Sequence, residues 1–515
     1  MTTAPEAALH SVSPEGEVGR TAPEPPRVVR ALIGRLLRLF FRRIEVAGLE
    51  HVPAGVGGVL IAWHPNGLLD PALILTQFPR RVVFGARHGL FAWPGLGRLL
   101  RYLGTVPIYR PQDAGGLRDE AARREANRQS LDTLAREVAE GSFAALFPEG
   151  VSHDEPALQA LRPGAARLYL RARELTPPGD PPPVVIPVGL HYDRKNLFGS
   201  GALVELHPPL ELPAEVAVPA PDEGERRRQV EGLTALFDRA LTEVVLATES
   251  WELHHLMQRL RKVFRAERAA RAGARPGKPT LQERVLGLAR VRRGYLERRV
   301  SDPEETERVL GRVKRYDKVL HALGLEDHEL DLRADLGSPW RPVSLVAQAV
   351  GVYLLLPPLL VLGYAVNTPV FLALGPVARR LGAKVKDEAT LKLLLGAGVF
   401  PAVWLLVSLL VAWGEINLHQ LYPQVPQVPW LAGIVTFLLC AAGGWVALRY
   451  SRLAAETYRA LRVRLTRARR RRTVERLARE RAALYEAALA LSQGLDLPGA
   501  VAANGRVVVS EPPGP

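Results

Sequence analysis

Residues 59–63 form a short apolar segment, Val-Leu-Ile-Ala-Trp, between a pair of glycines and a His-Pro pair. This pattern is typical of a buried strand in an α/β sheet, so His64 is predicted to lie at the carboxyl end of a strand. The following Asn-Gly pair predicts a turn, and Asp70 followed by proline predicts a helix start with Asp70 as its N-cap. This irregular path can bring Asp70 back onto His64, whereas residues at this spacing on a regular helix point to different faces.

His64 and Asp70 have the side chains of a general base and its partner. A neutral imidazole can take a proton from a hydroxyl, and a carboxylate on its other nitrogen fixes the tautomer and stabilises the imidazolium that forms. General-base help of this kind contributes about 10²–10⁴-fold to a rate. The alternative is that Asp70 only caps a helix and His64 only ends a strand.

Three further apolar segments end in, or contain, residues suited to a ligand site. They are residues 103–109 before Arg110, residues 142–147 before Glu149 and Gly150, and residues 184–190 around Pro187. In open α/β sheets, ligands gather at the carboxyl ends of the strands. Arg110 could form a bidentate, charge-assisted pair with a phosphate, or it could be a solvated charge. The segments predict an α/β catalytic domain with a mixed or largely parallel sheet and flanking helices.

In this order, the four segments resemble the glycerophospholipid acyltransferase superfamily. The corresponding blocks are residues 64–70, 104–110, 147–150 and 185–188. Most members have four residues between the histidine and the aspartate, whereas this chain has five. That spacing, with Arg-Pro-Gln-Asp at the second block and Ser-His-Asp after the third, is similar to the fungal-type glycerol-3-phosphate/dihydroxyacetone-phosphate acyltransferases and their bacterial relatives.

The resemblance implies an O-acyltransferase of phospholipid biosynthesis. The donor would be an acyl-CoA or acyl-carrier-protein thioester, and the acceptor glycerol 3-phosphate, dihydroxyacetone phosphate or 1-acylglycerol 3-phosphate. His64 would be the base and Asp70 its orienting partner. The implied substrate-binding residues are Arg110, Glu149, Gly150 and Pro187. Direct transfer implies no cofactor and no metal, and backbone groups of Gly67 or Gly150 are the candidate oxyanion donors.

Other chemistries fit the sequence less well. Residues 150–154 begin like the Gly-x-Ser-x-Gly motif of serine hydrolases but end in aspartate, and residues 273–278 lack the spacing of a P-loop. His153, Asp154 and His191 could form a metal site, but zinc-type spacing does not recur. Two alternatives stay open: an inactive membrane scaffold of the same fold, and a lipid hydrolase that uses the imidazole to activate water.

The chain is long enough for several domains. It has 515 residues, a net charge of +15 and a single cysteine, so no disulfide can form within it. The expected divisions follow in chain order: a disordered tail at 1–27, the acyltransferase domain with an N-terminal amphipathic helix at 28–225, a helical region at 226–340, a membrane region at 341–450, and an arginine-rich helix with a disordered tail at 451–515.

The membrane region contains two stretches near the length that spans a bilayer, residues 393–413 and 430–448. Basic flanks on both sides predict that their outer ends and the catalytic domain face the cytoplasm, at the cell membrane. Prolines interrupt residues 343–374, which predicts a bent or re-entrant element.

Two basic stretches are candidates for binding anionic membrane lipid. They are the amphipathic residues 28–44 and the arginine run at 467–472. The alternatives are a helix packed on the catalytic domain for the first and a solvated helix for the second. Nucleic acid is not an expected partner, because the basic run follows an apolar segment and lacks interleaved aromatics or a nucleic-acid module.

Overall fold

Seven strands form one sheet in the N-terminal half of the chain. The computed structural model describes residues 27–93, 95–110, 119–274, 277–331, 346–355, 361–380, 388–424, 426–502 and 505–508. The strands lie in the order β1-β7-β6-β2-β5-β3-β4. Their bounds are β1 Arg43–Ala47, β2 Gly58–Ala62, β3 Val82–Arg87, β4 Val106–Ile108, β5 Phe143–Leu146, β6 Val184–Tyr192 and β7 Gly201–Leu206.

The sheet is mixed but largely parallel, which confirms the predicted fold class. Only the β6–β7 pairing is antiparallel among the seven strands. Strand β2 lies between β5 and β6 and is buried along its whole length, as expected of a parallel strand covered on both faces. The carboxyl ends of β2, β5, β3 and β4 therefore meet at one edge.

Six helices belong to this domain: α1 Arg27–Phe40, α2 Leu69–Gln77, α3 Leu96–Tyr102, α4 Glu120–Ala139, α5 Gly164–Leu175 and α6 Glu223–Val245. Helices α1 and α2 share one core cluster with the sheet, and α4, α5 and α6 share the second. Helix α1 packs on the domain through Leu37 and Phe40, while Leu32 and Leu39 on it stay exposed. Of the tail predicted at 1–27, all but Arg27 lies outside the described residues.

The α/β domain ends later than the predicted boundary at residue 225. Helix α6 continues to Val245 and buries Val230, Leu233 and Phe237 against the helices and strands of the second cluster. Its first turns carry Glu-Gly-Glu-Arg-Arg-Arg, a charged composition that made the helix look like part of the following region. The buried residues recur at helical spacing, so one face of α6 completes the domain.

The next region is a helical domain built from two separate parts of the chain. It comprises α7 Trp251–Arg271, α8 Leu281–Ser301 and α9 Pro303–Leu323, together with α13 Arg471–Ser492 from beyond the apolar segments. Val263, Val313 and Leu484 are fully buried in its shared core. Residues 500–501 and 507–508 pair as a short hairpin, β8 with β9. Part of the C-terminal tail that was expected to be disordered is therefore paired in the structure.

Three long helices of the described residues lie between the two parts of the helical domain: α10 Val361–Arg380, α11 Glu388–Leu421 and α12 Pro429–Arg469. Two helical stretches, Leu391–Leu421 and Pro429–Arg469, are long and apolar enough to cross a membrane, and they contain the predicted spans. Helix α12 continues beyond residue 448 without a break. Its 41 residues make it about 60 Å long, twice the hydrocarbon thickness of a bilayer.

Helix α10 packs closely on α11 and α12 around a buried asparagine. The Asn367 side-chain NH₂ donates to the Cys440 carbonyl at 3.1 Å, and Asn367 Oδ1 accepts from the Trp404 indole N–H at 2.9 Å. A Cβ on Gly363 would lie 2.8 Å from the Gly443 carbonyl oxygen, so small residues allow this approach. Within the predicted bent element at 343–374, α10 continues through Pro369 as one helix, whereas residues 343–345 and 356–360 are outside the described residues.

Gly57→Ala is expected to destabilise the α/β domain by about 1–3 kcal/mol. A Cβ at this position would lie 2.0 Å from the Val138 carbonyl oxygen, so backbone at the start of β2 must move. Gly232→Ala is the matched control, because nothing lies within 4 Å of its added Cβ in helix α6 and alanine favours a helix. Chemical unfolding of both variants measures the difference, and equal stabilities would contradict this account.

Candidate active site

His64 and Asp70 meet at the carboxyl end of β2. The His64 Nδ1 atom lies 2.8 Å from Asp70 Oδ2. The Asp70 side chain has no exposed surface, while 20% of the His64 side chain is exposed. Gly67, with φ of 48°, lies in the turn between them, where a positive φ favours glycine. The imidazole therefore connects a buried carboxylate to the surface of the domain.

Asp70 is not the N-cap that the sequence predicted. Helix α2 begins at Leu69 with Leu68 as its N-cap residue, and no side chain caps it. Asp70 is instead the second helical residue, and its carboxylate faces back toward the turn, where Asp70 Oδ2 accepts a hydrogen bond from the Asn66 backbone N–H at 2.7 Å. The Asp70 carboxylate thus hydrogen-bonds to the turn and to the imidazole.

Three donors surround the Asp70 carboxylate. They are the Asn66 N–H and His64 Nδ1 on Oδ2, and the Tyr192 hydroxyl on Oδ1. Burial, with the Asp70 charge beside it, raises the pKa of Tyr192 well above its usual range, so the hydroxyl keeps its proton and donates. Because the carboxylate is an acceptor, the His64 proton belongs on Nδ1. His64 Nε2 is left with a lone pair and can act as a base.

Residues of the third block hold the imidazole in place. The Phe147 ring stacks on His64 with centroids 4.1 Å apart and planes 17° from parallel. The His153 backbone N–H donates to the His64 carbonyl at 3.2 Å. Strand β5 ends at Leu146 beside β2, so the parallel pairing of these strands places Phe147 against the ring.

Arg110 contacts the same loop. Its Nη1 donates to the Gly150 carbonyl at 2.8 Å. Gly150 has a φ of 70°, and a Cβ there would lie 2.9 Å from Arg162 Nε, so the turn requires glycine. The structure thus brings residues from the first three blocks into one constellation.

Glu149 belongs to this loop and is 2% exposed. Its Oε2 pairs with His153 Nε2 and accepts from the Gln159 backbone N–H at 2.8 Å. Its Oε1 is buried and has no hydrogen-bond partner among the described residues. Glu149 Oε2 therefore stabilises the loop, and Glu149 Oε1 can accept a further hydrogen bond.

Pro187 lies inside β6 rather than at the end of a strand. It pairs with Ile61 of β2, three positions before His64, and its carbonyl accepts from the His207 N–H at 3.0 Å. Its buried position fits a role in the sheet that supports the site. The structure does not bring Pro187 into the constellation around His64 by any hydrogen bond or ring contact between described residues.

The suggested metal ligands do not assemble. His153 pairs with Glu149, Asp154 lies 2.6 Å from Lys195 Nζ, and His191 lies 3.5 Å from Glu205. Within the described ranges, no group of three His, Cys, Asp or Glu side chains could hold a metal ion.

Both candidate oxyanion donors already have partners inside the protein. The Gly67 N–H donates to the Ser152 hydroxyl at 3.3 Å, and the Gly150 N–H donates to the Phe147 carbonyl at 2.9 Å. The Gly67 bond is long for a hydrogen bond to a hydroxyl. It is therefore the weaker of the two contacts.

Sequence reasoning missed Tyr192. It lies two residues beyond the apolar run that ends at Leu190, on the strand that neighbours β2. A polar aromatic residue at the carboxyl end of a predicted parallel strand was the available signal, but its use required knowing that β6 lies beside β2.

Two parts of the chain match known protein families. Residues 43–191 match the family described as Acyltransferase, and residues 276–495 match the family described as Glycerol-3-phosphate acyltransferase 2 C-terminal domain. An uncharacterized acyltransferase of Schizosaccharomyces pombe is 26% identical over 84% of this chain and 75% of its own length.

Two Saccharomyces cerevisiae proteins match over shorter stretches. Glycerol-3-phosphate O-acyltransferase 1 is 24% identical over 54% of this chain, and glycerol-3-phosphate O-acyltransferase 2 is 25% identical over 36%. The match spans 36% and 23% of those proteins. The crystal structure of the 1-acyl-sn-glycerophosphate acyltransferase of Thermotoga maritima matches with 21% identity and a TM-score of 0.29, over 42% of this chain and 78% of that one.

The first family match covers all four sequence blocks, and the second covers most of the helical domain together with the apolar helices. The two matches follow each other in the order in which the domains occur. The two family matches confirm the predicted resemblance to the glycerophospholipid acyltransferase superfamily.

Proposed function

We propose that the protein transfers a fatty acyl group from an acyl thioester to a hydroxyl of a glycerol-phosphate acceptor. The observation that carries the proposal is the buried Asp70 carboxylate bonded to His64 Nδ1, which leaves Nε2 as a base. The glycerol-3-phosphate acyltransferases among the relatives support the acceptor class. The donor is acyl-CoA or acyl-carrier protein, and the acceptor is glycerol 3-phosphate, dihydroxyacetone phosphate or 1-acylglycerol 3-phosphate.

The reaction needs one base and no covalent enzyme intermediate. His64 Nε2 takes the proton of the acceptor hydroxyl as its oxygen attacks the thioester carbonyl. The tetrahedral intermediate collapses, breaking the carbon–sulfur bond, and the imidazolium returns the proton to the leaving thiolate. Asp70 stabilises the imidazolium meanwhile. The proposed transfer requires no cofactor besides the acyl thioester.

Arg110 is proposed to bind the acceptor phosphate. Its guanidinium is anchored on the Gly150 carbonyl at 2.8 Å, beside the loop whose Phe147 stacks on His64. A guanidinium can bind a phosphate through two parallel, charge-assisted hydrogen bonds. Glu149 and Gly150 would shape the acceptor site from the same loop.

We place the protein at the cell membrane with the catalytic domain on the cytoplasmic face. The catalytic domain lies at the basic end of helix α12: Arg452, just beyond the apolar part of the helix, packs against Gly199, where a Cβ would lie 2.5 Å from Arg452 Nη2. Basic ends of membrane spans face the cytoplasm, so this contact supports the orientation. Anionic lipid would lie at the same level, near Arg42 and the exposed side of α1. Protease cleavage near residue 274 in inverted vesicles, but not in intact cells, is the expected result; the reverse would refute the orientation.

Product analysis tests the activity. The purified full chain in phospholipid nanodiscs is offered labelled palmitoyl-CoA or palmitoyl-acyl-carrier protein, each with glycerol 3-phosphate, dihydroxyacetone phosphate or 1-acylglycerol 3-phosphate. A labelled ester that forms only with acceptor supports the proposal and names both substrates. Free fatty acid released without acceptor would favour the hydrolase, and no turnover with any pair would favour the inactive scaffold.

Tyr192→Phe is expected to lower kcat about tenfold while leaving the KM of the acceptor unchanged. The variant removes one of three donors to Asp70, and a hydrogen bond to a charged group contributes about 1.5–3 kcal/mol. The other two donors still hold the carboxylate. Steady-state rates at varied acceptor concentration measure both parameters, and a rise in KM alone would show that Tyr192 contacts substrate instead.

A further inference from the structure

A cavity of about 120 Å³ lies inside the helical domain. Its lining residues come from positions 257–310 and 488–507, so helices α7, α8, α9 and α13 and the terminal hairpin line it. None of the lining residues belongs to the α/β domain that holds His64. The cavity is therefore separate from the candidate active site.

Much of the cavity wall is apolar. Leu260, Phe264, Val291, Val309 and Leu310 contribute to it. The volume is close to that of an engineered apolar cavity of about 150 Å³ that binds benzene. A short length of aliphatic chain fits such a space.

The rest of the wall is strongly basic. Five arginines and a single glutamate line it: Arg261, Arg265, Arg268, Arg290, Arg298 and Glu283. Glu283 accepts from Arg265 at 2.8 Å. Arg290 and Arg298 donate to backbone carbonyls between residues 491 and 499, which ties down the end of the chain. These three arginines have structural partners.

The remaining two arginines make no ion pair with a carboxylate among the described residues. Arg261 is 7% exposed, and its Nε donates to the neutral amide of Gln258 at 3.1 Å. Burial, reinforced by the charges of Arg284 and Arg265 and opposed by those of Glu283 and Asp327, lowers the pKa of Arg261 to about 10. The Nε atom of Arg268 is buried and has no hydrogen-bond partner among the described residues. A buried guanidinium without a full counter-charge is costly unless an anion pairs with it.

We propose that this cavity binds a single-chain anionic amphiphile, with its carboxylate or phosphate on Arg261 and Arg268 and its aliphatic chain against the apolar wall. The head group supplies the ion-pair partner that Arg261 and Arg268 lack among the described residues, and the chain fills the space beside them. A fatty carboxylate and an alkyl phosphate share this chemistry. The site is distinct from the proposed acyl-transfer site, and its test does not depend on catalysis.

Binding is measured by isothermal titration calorimetry on the full chain in zwitterionic phosphatidylcholine nanodiscs, with empty nanodiscs subtracted. The probes are octanoate and octyl phosphate, with octanol as the uncharged control. At least one anion is expected to bind at one equivalent and at least tenfold more tightly than octanol. The stronger anion identifies the head group, whereas equal binding of octanol, or no binding by either anion, would overturn the proposal.

Three variants locate the site. Arg268→Gln removes a charge, and Gly294→Leu fills the cavity from helix α8, where an added Cβ has its nearest neighbour 3.8 Å away. Both are expected to weaken binding at least tenfold. Arg293→Gln is the matched control, because Arg293 lies on the same helix with 55% of its side chain exposed and pairs with Glu297. Unchanged binding in both test variants, or equal losses in all three, would contradict the assignment.

The melting temperature of Arg261→Gln distinguishes an arginine that binds the head group from one that only supports the fold. Removing a buried charge that lacks an ion-pair partner among the described residues is expected to raise the Tm of the ligand-free chain and, at the same time, to abolish the Tm increase produced by octyl phosphate or octanoate. A lower Tm of the ligand-free chain with the ligand-induced shift retained would show that Arg261 is paired within the fold and does not bind the head group.

Discussion

Replacing Asp70 with asparagine is expected to lower kcat by about 10³–10⁴-fold, as for removal of the carboxylate in other histidine–aspartate pairs. Asp70 Oδ2 accepts from both His64 Nδ1 and the Asn66 N–H. An amide has one oxygen, and an NH₂ group facing His64 would favour the tautomer with its proton on Nε2. The base would then be lost. The KM of the acceptor should change little, because Asp70 is fully buried. Initial rates at saturating substrates measure the effect.

The control for this prediction is Asp154→Asn. Asp154 is a nearby carboxylate with 45% of its side chain exposed, paired with Lys195, and its replacement should change kcat by less than a few-fold. The double variant His64→Ala/Asp70→Asn should be about as slow as the slower single variant, since residues that act as a unit are not additive. If the losses in kcat of the two single variants multiplied in the double variant, the two side chains would act independently. The same would follow if Asp70→Asn kept more than a tenth of the wild-type kcat.

The pairing of His64 with Asp70 was predictable because all of its determinants are local. A short apolar strand, a turn with a glycine at positive φ and a helix start lie within thirteen residues, from Gly58 to Asp70. The predicted role of Asp70 as a cap was wrong by a small shift of the helix start, to which such assignments are sensitive. The shift frees the carboxylate for the imidazole.

The rest of the site depends on strand order, which local patterns do not contain. Tyr192 reaches Asp70 only because β6 lies beside β2, although the two strands are separated in sequence by three others. Phe147 stacks on His64 because β5 lies on the opposite side of β2. Both contacts join segments that are distant along the chain, so only the assembled sheet reveals them.

The packing of the arginine-rich end of the chain could not be predicted for the same reason. Residues 467–472 suggested a solvated helix or a lipid-binding surface, and residues 468–472 are exposed where α12 ends and α13 begins. The rest of α13, however, packs into the core formed with α7 and α9. The partners of α13 lie before the apolar helices and α13 lies after them. Nothing in the local composition distinguishes its buried arginine from the exposed ones around it.

Arg481→Leu is expected to lower the free energy of unfolding of the helical domain by about 3–5 kcal/mol. Arg481 is 2% exposed. Its Nε donates to Glu267 at 3.0 Å, and its two terminal nitrogens donate to Asp331 at 2.6 and 2.7 Å. Leucine would leave the Glu267 carboxylate, which is 6% exposed, without this partner. Hydrogen exchange of the α7 and α13 amides measures the loss, because opening of this core exposes both helices.

Two substitutions separate the buried ion pair from general effects of charge. Arg476→Leu removes an exposed arginine from the same helix, and it should change stability by less than about 0.5 kcal/mol. Arg481→Lys keeps the charge but cannot reproduce the two-pronged contact with Asp331, so an intermediate loss is expected. Equal protection of the α7 and α13 amides from hydrogen exchange in Arg481→Leu and Arg476→Leu would mean that only the apolar face of α13 stabilises its packing. A loss confined to Arg481→Leu would show that a single guanidinium joins the segments before and after the apolar helices into one domain.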